Sequence, residues 1–246
     1  MALVIAIGGK PKIFIHDADL SDNGKASTPT LSAETKDATT FADSGVKRKV
    51  GNKDISFRFE GLFDGASQKS HAALDDLRAN QRIVSIYAEG DAAAKEGIVL
   101  SSAHAEQYAL GISLGELVPL AASIVQDGVE GMPVVSLAAR HTANITATEN
   151  KAGVDNSGTS ADGGTFTVHA FVFSASGGNA RWQALLQESS DNGVGDPWVT
   201  IATINITAVG AQQATFAGTV EAWLRVRFVL DATSGTLQAH AGAERD

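Results

Sequence analysis

Gly111-Ile112-Ser113-Leu114-Gly115 has the G-x-S-x-G spacing of a nucleophile elbow, and His141, His169 and His240 lie downstream in the order a hydrolase triad uses. An elbow exposes its serine at a strand-to-helix turn above a parallel sheet. Here Pro119 follows too soon for that helix and no strand–helix alternation surrounds the motif, so the segment reads as a strand-to-turn corner. Gly8-Gly9-Lys10 lacks the G-x-x-x-x-G-K-[ST] spacing that wraps backbone N–H groups around phosphates, and reads as a turn.

Asp17, Asp19, Asp22 and Asn23 offer oxygen ligands close together, and Asp19, Ser21 and Asn23 imitate the first positions of a calcium loop. Position twelve of that frame is Thr30, so the bidentate acid is missing and a solvated turn is expected. In Asp191-Asn192-Gly193-Val194-Gly195-Asp196 the Asn-Gly pair supplies the positive φ of a tight β-connection without any ion. The histidines at 16, 71, 104, 141, 169 and 240 show no spacing that brings two imidazoles to one metal. The chain therefore reads as a non-enzyme with no catalytic residue, metal or cofactor. One surface invites binding: Trp223, Arg225 and Arg227 share a strand face opposite Leu224, Val226 and Phe228, and an aromatic beside two guanidinium groups could stack on a glycan or a partner protein.

The elements that hold these residues are strands. In Asp54–Glu60 the apolar Ile55, Phe57 and Phe59 alternate with polar neighbours, which is the period of a half-buried strand. Runs at 165–173, 182–187, 198–206 and 223–230 are also strand-length and are parted by turn clusters such as Ser-Gly-Gly-Asn. Residues 67–81 place Ala73, Leu74 and Leu77 on one side and predict a helix with Ser67 as N-cap.

Of 246 residues, 19 are basic and 28 acidic, a net charge of −9 that leaves no general footprint for gripping nucleic acid. There is no cysteine, hence no disulfide or thiolate chemistry. The apolar stretch 1–7 is too short for a membrane span, and a soluble, unsecreted protein is expected. Composition changes at 151–163, a Gly-, Ser- and Asp-rich run with little to bury. The expected organisation is a β-rich domain with one helix at 1–150, a linker at 151–163, and an Ig-like or jelly-roll β-sandwich at 164–246. Charge is shared between the parts, at −5 and −4.

The stretch from Thr39 to Asp64, with Thr39-Thr40-Phe41, a polar loop holding Lys47-Arg48-Lys49, Gly51 before an amphipathic strand, and Glu60-Gly61-Leu62-Phe63-Asp64 leading to a helix, resembles the phage major tail protein (tail tube) family. Residues 13–22, Ile-Phe-Ile-His-Asp-Ala-Asp-Leu-Ser-Asp, look like that family's opening, and 164–242 is similar to the outer β-sandwich appended to many long-tailed phage tube proteins. The resemblance implies a tail-tube sandwich or barrel with one packed helix, assembled as stacked hexameric rings around a DNA conduit. It implies a virion protein assembled in the host cytoplasm, with tape measure and tail tip or terminator proteins as partners, and DNA passing without specific binding. By analogy, Asp54, Ser56, Arg58 and Glu60 would face the lumen, and the loop bearing Lys47, Arg48 and Lys49 would reach an adjacent ring. The alternative is a glycan- or partner-binding sandwich module of a phage fibre or adhesin, using the Trp223 face.

Overall fold

Alternating apolar and polar residues, broken by turn clusters, build a mainly β protein in the computed structural model, which describes residues 11–40, 44–112, 117–127, 132–138 and 144–245. In chain order the elements are β1 (Lys12–Ile15), β2 (Ala18–Asp19), β3 (Gly24–Asp37), β4 (Arg48–Leu62), α1 (Ser70–Ala79), β5 (Arg82–Tyr87), β6 (Glu96–Leu110), β7 (Pro119–Gln126), β8 (Met132–Ala138), β9 (Glu149–Asn150), β10 (Val154–Asp155), β11 (Gly164–Ser176), β12 (Arg181–Ser189), β13 (Val199–Ile206), β14 (Gly210–Phe216), β15 (Trp223–Asp231) and β16 (Ser234–Arg245). Among the described residues no helix is long and apolar enough to cross a membrane. Two compact units share the chain: Met1–Ser21, Ile83–Val99 and Met132–Asp246 form one, and Asp22–Arg82 with Leu100–Gly131 form the other.

The first unit contains the expected β-sandwich. In one sheet β11 lies between β14 and β16, and in the other β12 lies between β13 and β15, with all of these pairs antiparallel. Phe166, Val168 and Ala170 of β11 and Leu237, Ala239 and Ala241 of β16 share a buried cluster with Trp182, Leu186, Val226 and Phe228 of the other sheet. Period-2 alternation thus puts one row of each strand into a common core. The opposite face of the β11–β16 pair is buried as well. Phe14 of β1 and Tyr87 of β5 pack there with Phe171, His169 and His240. Strands covered on both sides lose the polar half of their pattern.

These units do not follow the chain-order division at 151–163. Within that segment β10 pairs with β15, Val154 is part of the sandwich core, and Lys151 N–H donates to the Val226 carbonyl. Backbone pairing, which the composition of a Gly- and Ser-rich run does not reveal, makes the stretch a sheet edge. Upstream, β8 pairs with β16, and β1 and β5 pair with each other within the same unit as the sandwich.

In the second unit the sheet runs β3, β4, β7 and then residues 103–110 of β6. Ile55, Phe57 and Phe59 are buried, as are Leu120, Ala122 and Ile124 of β7. Helix α1 buries Ala73, Leu74 and Leu77, the row its periodicity predicts, but starts later than expected. Lys69 rather than Ser67 holds the N-cap position, and no side chain caps it. The strand-to-helix turn is instead tied by Ser70, whose hydroxyl donates to the Leu62 carbonyl at 2.7 Å and accepts the Asp64 N–H at 3.0 Å. A side chain that closes the preceding turn replaces the cap.

Candidate functional site: the β3–β4 ribbon and its two ends

β3 and β4 pair along their whole lengths, from Gly24 opposite Gly61 to Asp37 opposite Arg48. β7 joins β4 only over Ser56–Leu62. Among the described pairings, residues 48–55 of β4 are therefore held by β3 alone, and β3 has no strand on its outer side. The outer strand carries Pro29, which sheets accept at an edge, with Thr28, Thr30 and Ser32 exposed. A two-stranded ribbon is marginal by itself in water, and a long open edge is a template for another chain.

The far end of the ribbon is closed locally. Ala38 N–H donates to the Lys47 carbonyl at 2.9 Å, Lys47 N–H donates to Thr39 Oγ1 at 3.0 Å, and the Asp37 carboxylate accepts Thr39 N–H at 2.8 Å. The Thr39 hydroxyl and then its N–H hold the Asp37 carboxyl below the usual carboxylate range. Register puts Lys36 opposite Lys49 and Asp37 opposite Arg48, so Lys36, Lys47, Arg48 and Lys49 gather at one exposed tip of an acidic protein. Lys36 and Lys49 are like charges across the ribbon, and the neighbouring pair sets Asp37 against Arg48. Val46, 69% exposed, adds an apolar residue to the same loop.

At the opposite end of β4, about 50 Å away at ~3.3 Å per residue, the chemistry differs. Ile112 and Leu117 are 85% and 73% exposed, and the nearby Phe63 joins the corner through its N–H to the Val118 carbonyl at 3.0 Å. Phe63 also lies 5.0 Å from the ring of His71, whose Nδ1 meets the Tyr108 hydroxyl at 2.6 Å. Burial, then Asp75, raises the Tyr108 phenol above its ordinary range. Gly111 N–H donates to the Pro119 carbonyl, so the elbow-like motif spans a connection between the antiparallel β6 and β7. Ser113 itself lies outside the described residues, as do His141 and Gly8-Gly9-Lys10.

The row proposed for a lumen divides as alternation demands. Arg58 is exposed and Ser56 and Glu60 are half-buried, while the side chain of Asp54 is outside those described. Arg58 Nε and Glu60 Oε1 form an ion pair at 2.8 Å. On β15, Leu224, Val226 and Phe228 are buried and Trp223, Arg225 and Arg227 are half-buried. The aromatic–guanidinium pair that forms there is not built on Trp223. Arg225 stacks 4.2 Å over Trp198 and donates to Gln187 Oε1 at 2.9 Å, so its guanidinium is engaged within the sandwich. Trp198 precedes β13, and only strand pairing through β12 within one sheet brings it to Arg225.

The carboxylates of the acidic turns accept backbone N–H groups. Asp191 accepts N–H groups from Asp196, Gly195 and Val194, which keep its carboxyl below the usual range, and Asp196 accepts Ser190 N–H at 2.7 Å. Asp19 accepts Ser21 N–H at 2.9 Å. Among the described residues, no group of three or more His, Asp or Glu is placed to hold a metal. A serine–imidazole pair does exist at Ser85 Oγ and His169 Nε2, 2.7 Å apart, but both residues are fully buried and the other ring nitrogen faces the His16 carbonyl. No substrate reaches it.

No protein-family model matches the sequence, and no curated protein matches it. Among solved structures, the chain is similar to a tail protein of an empty gene transfer agent particle with C6 symmetry, at 16% identity over 50% of this chain and 96% of that one, with a TM-score of 0.41. A chain of the extended PVC sheath–tube complex, an extracellular contractile injection system, matches at 11% identity over 52% and 91%, TM-score 0.40. The SPP1 Dit protein, described as a hub of the adsorption apparatus of phages that infect Gram-positive hosts, matches at 10% identity over 96% and 99%, TM-score 0.35.

Proposed function

We propose that the protein is a structural virion protein, a tail tube subunit that assembles into stacked hexameric rings around a DNA conduit. The observation that carries this reading is the β3–β4 ribbon, open along its outer edge and reaching beyond its own sheet. Ring closure would pair that edge with a neighbour and remove the aggregation hazard. The cationic tip at one end of β4 and the apolar corner at the other support a head-to-tail contact between rings, in which two different surfaces meet. The resemblance of residues 39–64 and 13–22 to the tube family supports the same assignment.

In this reading Asp54, Ser56, Arg58 and Glu60 line the conduit, and the Arg58–Glu60 pair makes part of that row locally neutral. The net charge of −9 keeps DNA phosphates from adhering, so the genome passes without specific binding. Tape measure and tail tip or terminator proteins are the expected partners, and the virion tail the location. The β-sandwich is the outer part of the tube. A glycan-binding role for the Trp223 face is less favoured, because Arg225 is already stacked on Trp198.

Replacing Lys47, Arg48 and Lys49 together by Ser tests the tip. Sedimentation across a salt series should show the concentration for half-assembly raised about tenfold at moderate salt, with much of the salt dependence gone. An unchanged midpoint and an unchanged salt curve would assign the loop to solvent.

A further inference from the structure

His169 and His240 face each other directly across the β11–β16 pair, 0% and 1% exposed. Their rings occupy the side of that pair turned away from the sandwich core. Phe14 of β1 lies 5.8 Å from the His169 ring and 4.9 Å from that of His240, and Tyr87 of β5 lies 4.6 Å from His240. The hydrogen bonds fix one tautomer. His16 offers a carbonyl 2.9 Å from His169 Nδ1, so Nδ1 carries the hydrogen, and Nε2 accepts from the Ser85 hydroxyl at 2.7 Å. Two strands are thus tied to the pair: Ser85 belongs to β5, and His16 follows β1.

We propose that His169 and His240 form an acid-sensitive latch that holds β1 and β5 on the outer face of the β11–β16 pair and releases them when the imidazoles take up protons. The neutral rings are packed among aromatics, whereas a cation there would be stripped of water, and two cations facing each other would repel. Among the described residues, His16 from the turn after β1 and Tyr87 from β5 are titratable groups that face the pair, and β6 contributes the apolar Val99 to this cluster. From β14, the Ala211 N–H donates to the His16 imidazole at Nδ1, 3.1 Å away. Asp91 acts on the Tyr87 phenol, which burial already raises.

Burial holds the His169 imidazole down at about 4 from its ordinary 6.5, and burial followed by His169 lowers His240 as well. Groups with a depressed folded pKa leave the opened state holding more protons. The latch is therefore fully closed above pH 6.5 and weakens as pH falls from 6.5 toward 4. His169 raises the opening equilibrium up to about tenfold per pH unit in that window, or about 300-fold in all, and His240 acts in the same direction.

Hydrogen–deuterium exchange of the full chain from pH 7.5 to 4.5, corrected for intrinsic rates, tests this. Amides of β1 and β5 should lose protection steeply below pH 6.5 while those of β12 and β13 keep theirs. The double variant His169→Gln/His240→Gln should flatten the β1 and β5 profile; if it does not fold, the wild-type profile decides alone. Protection in β1 and β5 that does not change with pH, or a loss of equal slope in β12 and β13, would overturn the latch.

Discussion

Phe57→Ala should cost about 3–5 kcal/mol of folding free energy, the usual loss when a fully buried phenylalanine is truncated and the cavity cannot collapse. Phe57 is 0% exposed between the equally buried Ile55 and Phe59, and it sits where β4 is paired on both sides. Whole domains hold only about 5–15 kcal/mol, so the variant should be largely insoluble or unfold at much lower urea. Glu60→Gln on the opposite face is the control. Its ion pair with Arg58 is exposed, at 47% and 67%, and its removal should change stability by less than about 1 kcal/mol. Urea unfolding of the two variants side by side checks the assignment, and a stable Phe57→Ala beside an unfolded Glu60→Gln would invert the faces of β4.

Trp182→Ala should be as damaging to the sandwich. Trp182 is fully buried, and its indole N–H donates to the Ser174 carbonyl at 3.2 Å. Truncation removes the anchor between the two sheets and leaves that carbonyl without its donor, again about 3–5 kcal/mol. At about 2–4 °C per kcal/mol for a unit of this size, thermal unfolding should fall by roughly 6–20 °C. Trp182→Phe keeps most of the apolar volume and should lose about half as much or less. If Trp182→Ala melted within about 2 °C of the parent, the core would not depend on this residue.

The strands whose two faces differ in polarity were legible in the sequence. Ile55, Phe57 and Phe59 alternate with Ser56, Arg58 and Glu60, and Leu224, Val226 and Phe228 alternate with Trp223, Arg225 and Arg227, as their burial does. β16 was not legible. Its Ala239, His240 and Ala241 are all buried, because the sandwich core covers one face and Phe14 and Tyr87 the other, so no alternation survives. The same double cover hid the pairing of His169 with His240, which are brought together only by β11–β16 register. β10 carried no pattern either, since two residues paired to β15 are too short for a period. Of the candidate site, the Lys47-Arg48-Lys49 cluster could be read directly, but Ile112, Leu117 and Trp198 could not. Their significance comes from exposure at a strand end or from a neighbour in another strand.

The claim that this chain is built to assemble is tested most directly by negative-stain electron microscopy of the purified full chain across a concentration series, with sedimentation velocity on the same samples. Rings of uniform diameter that stack into tubes as concentration rises are expected, because among the described residues β3 pairs only with β4, and Val46 near one end of β4 and Ile112 and Leu117 near the other are exposed. A species of monomer size at every concentration, with no rings in the images, would contradict it.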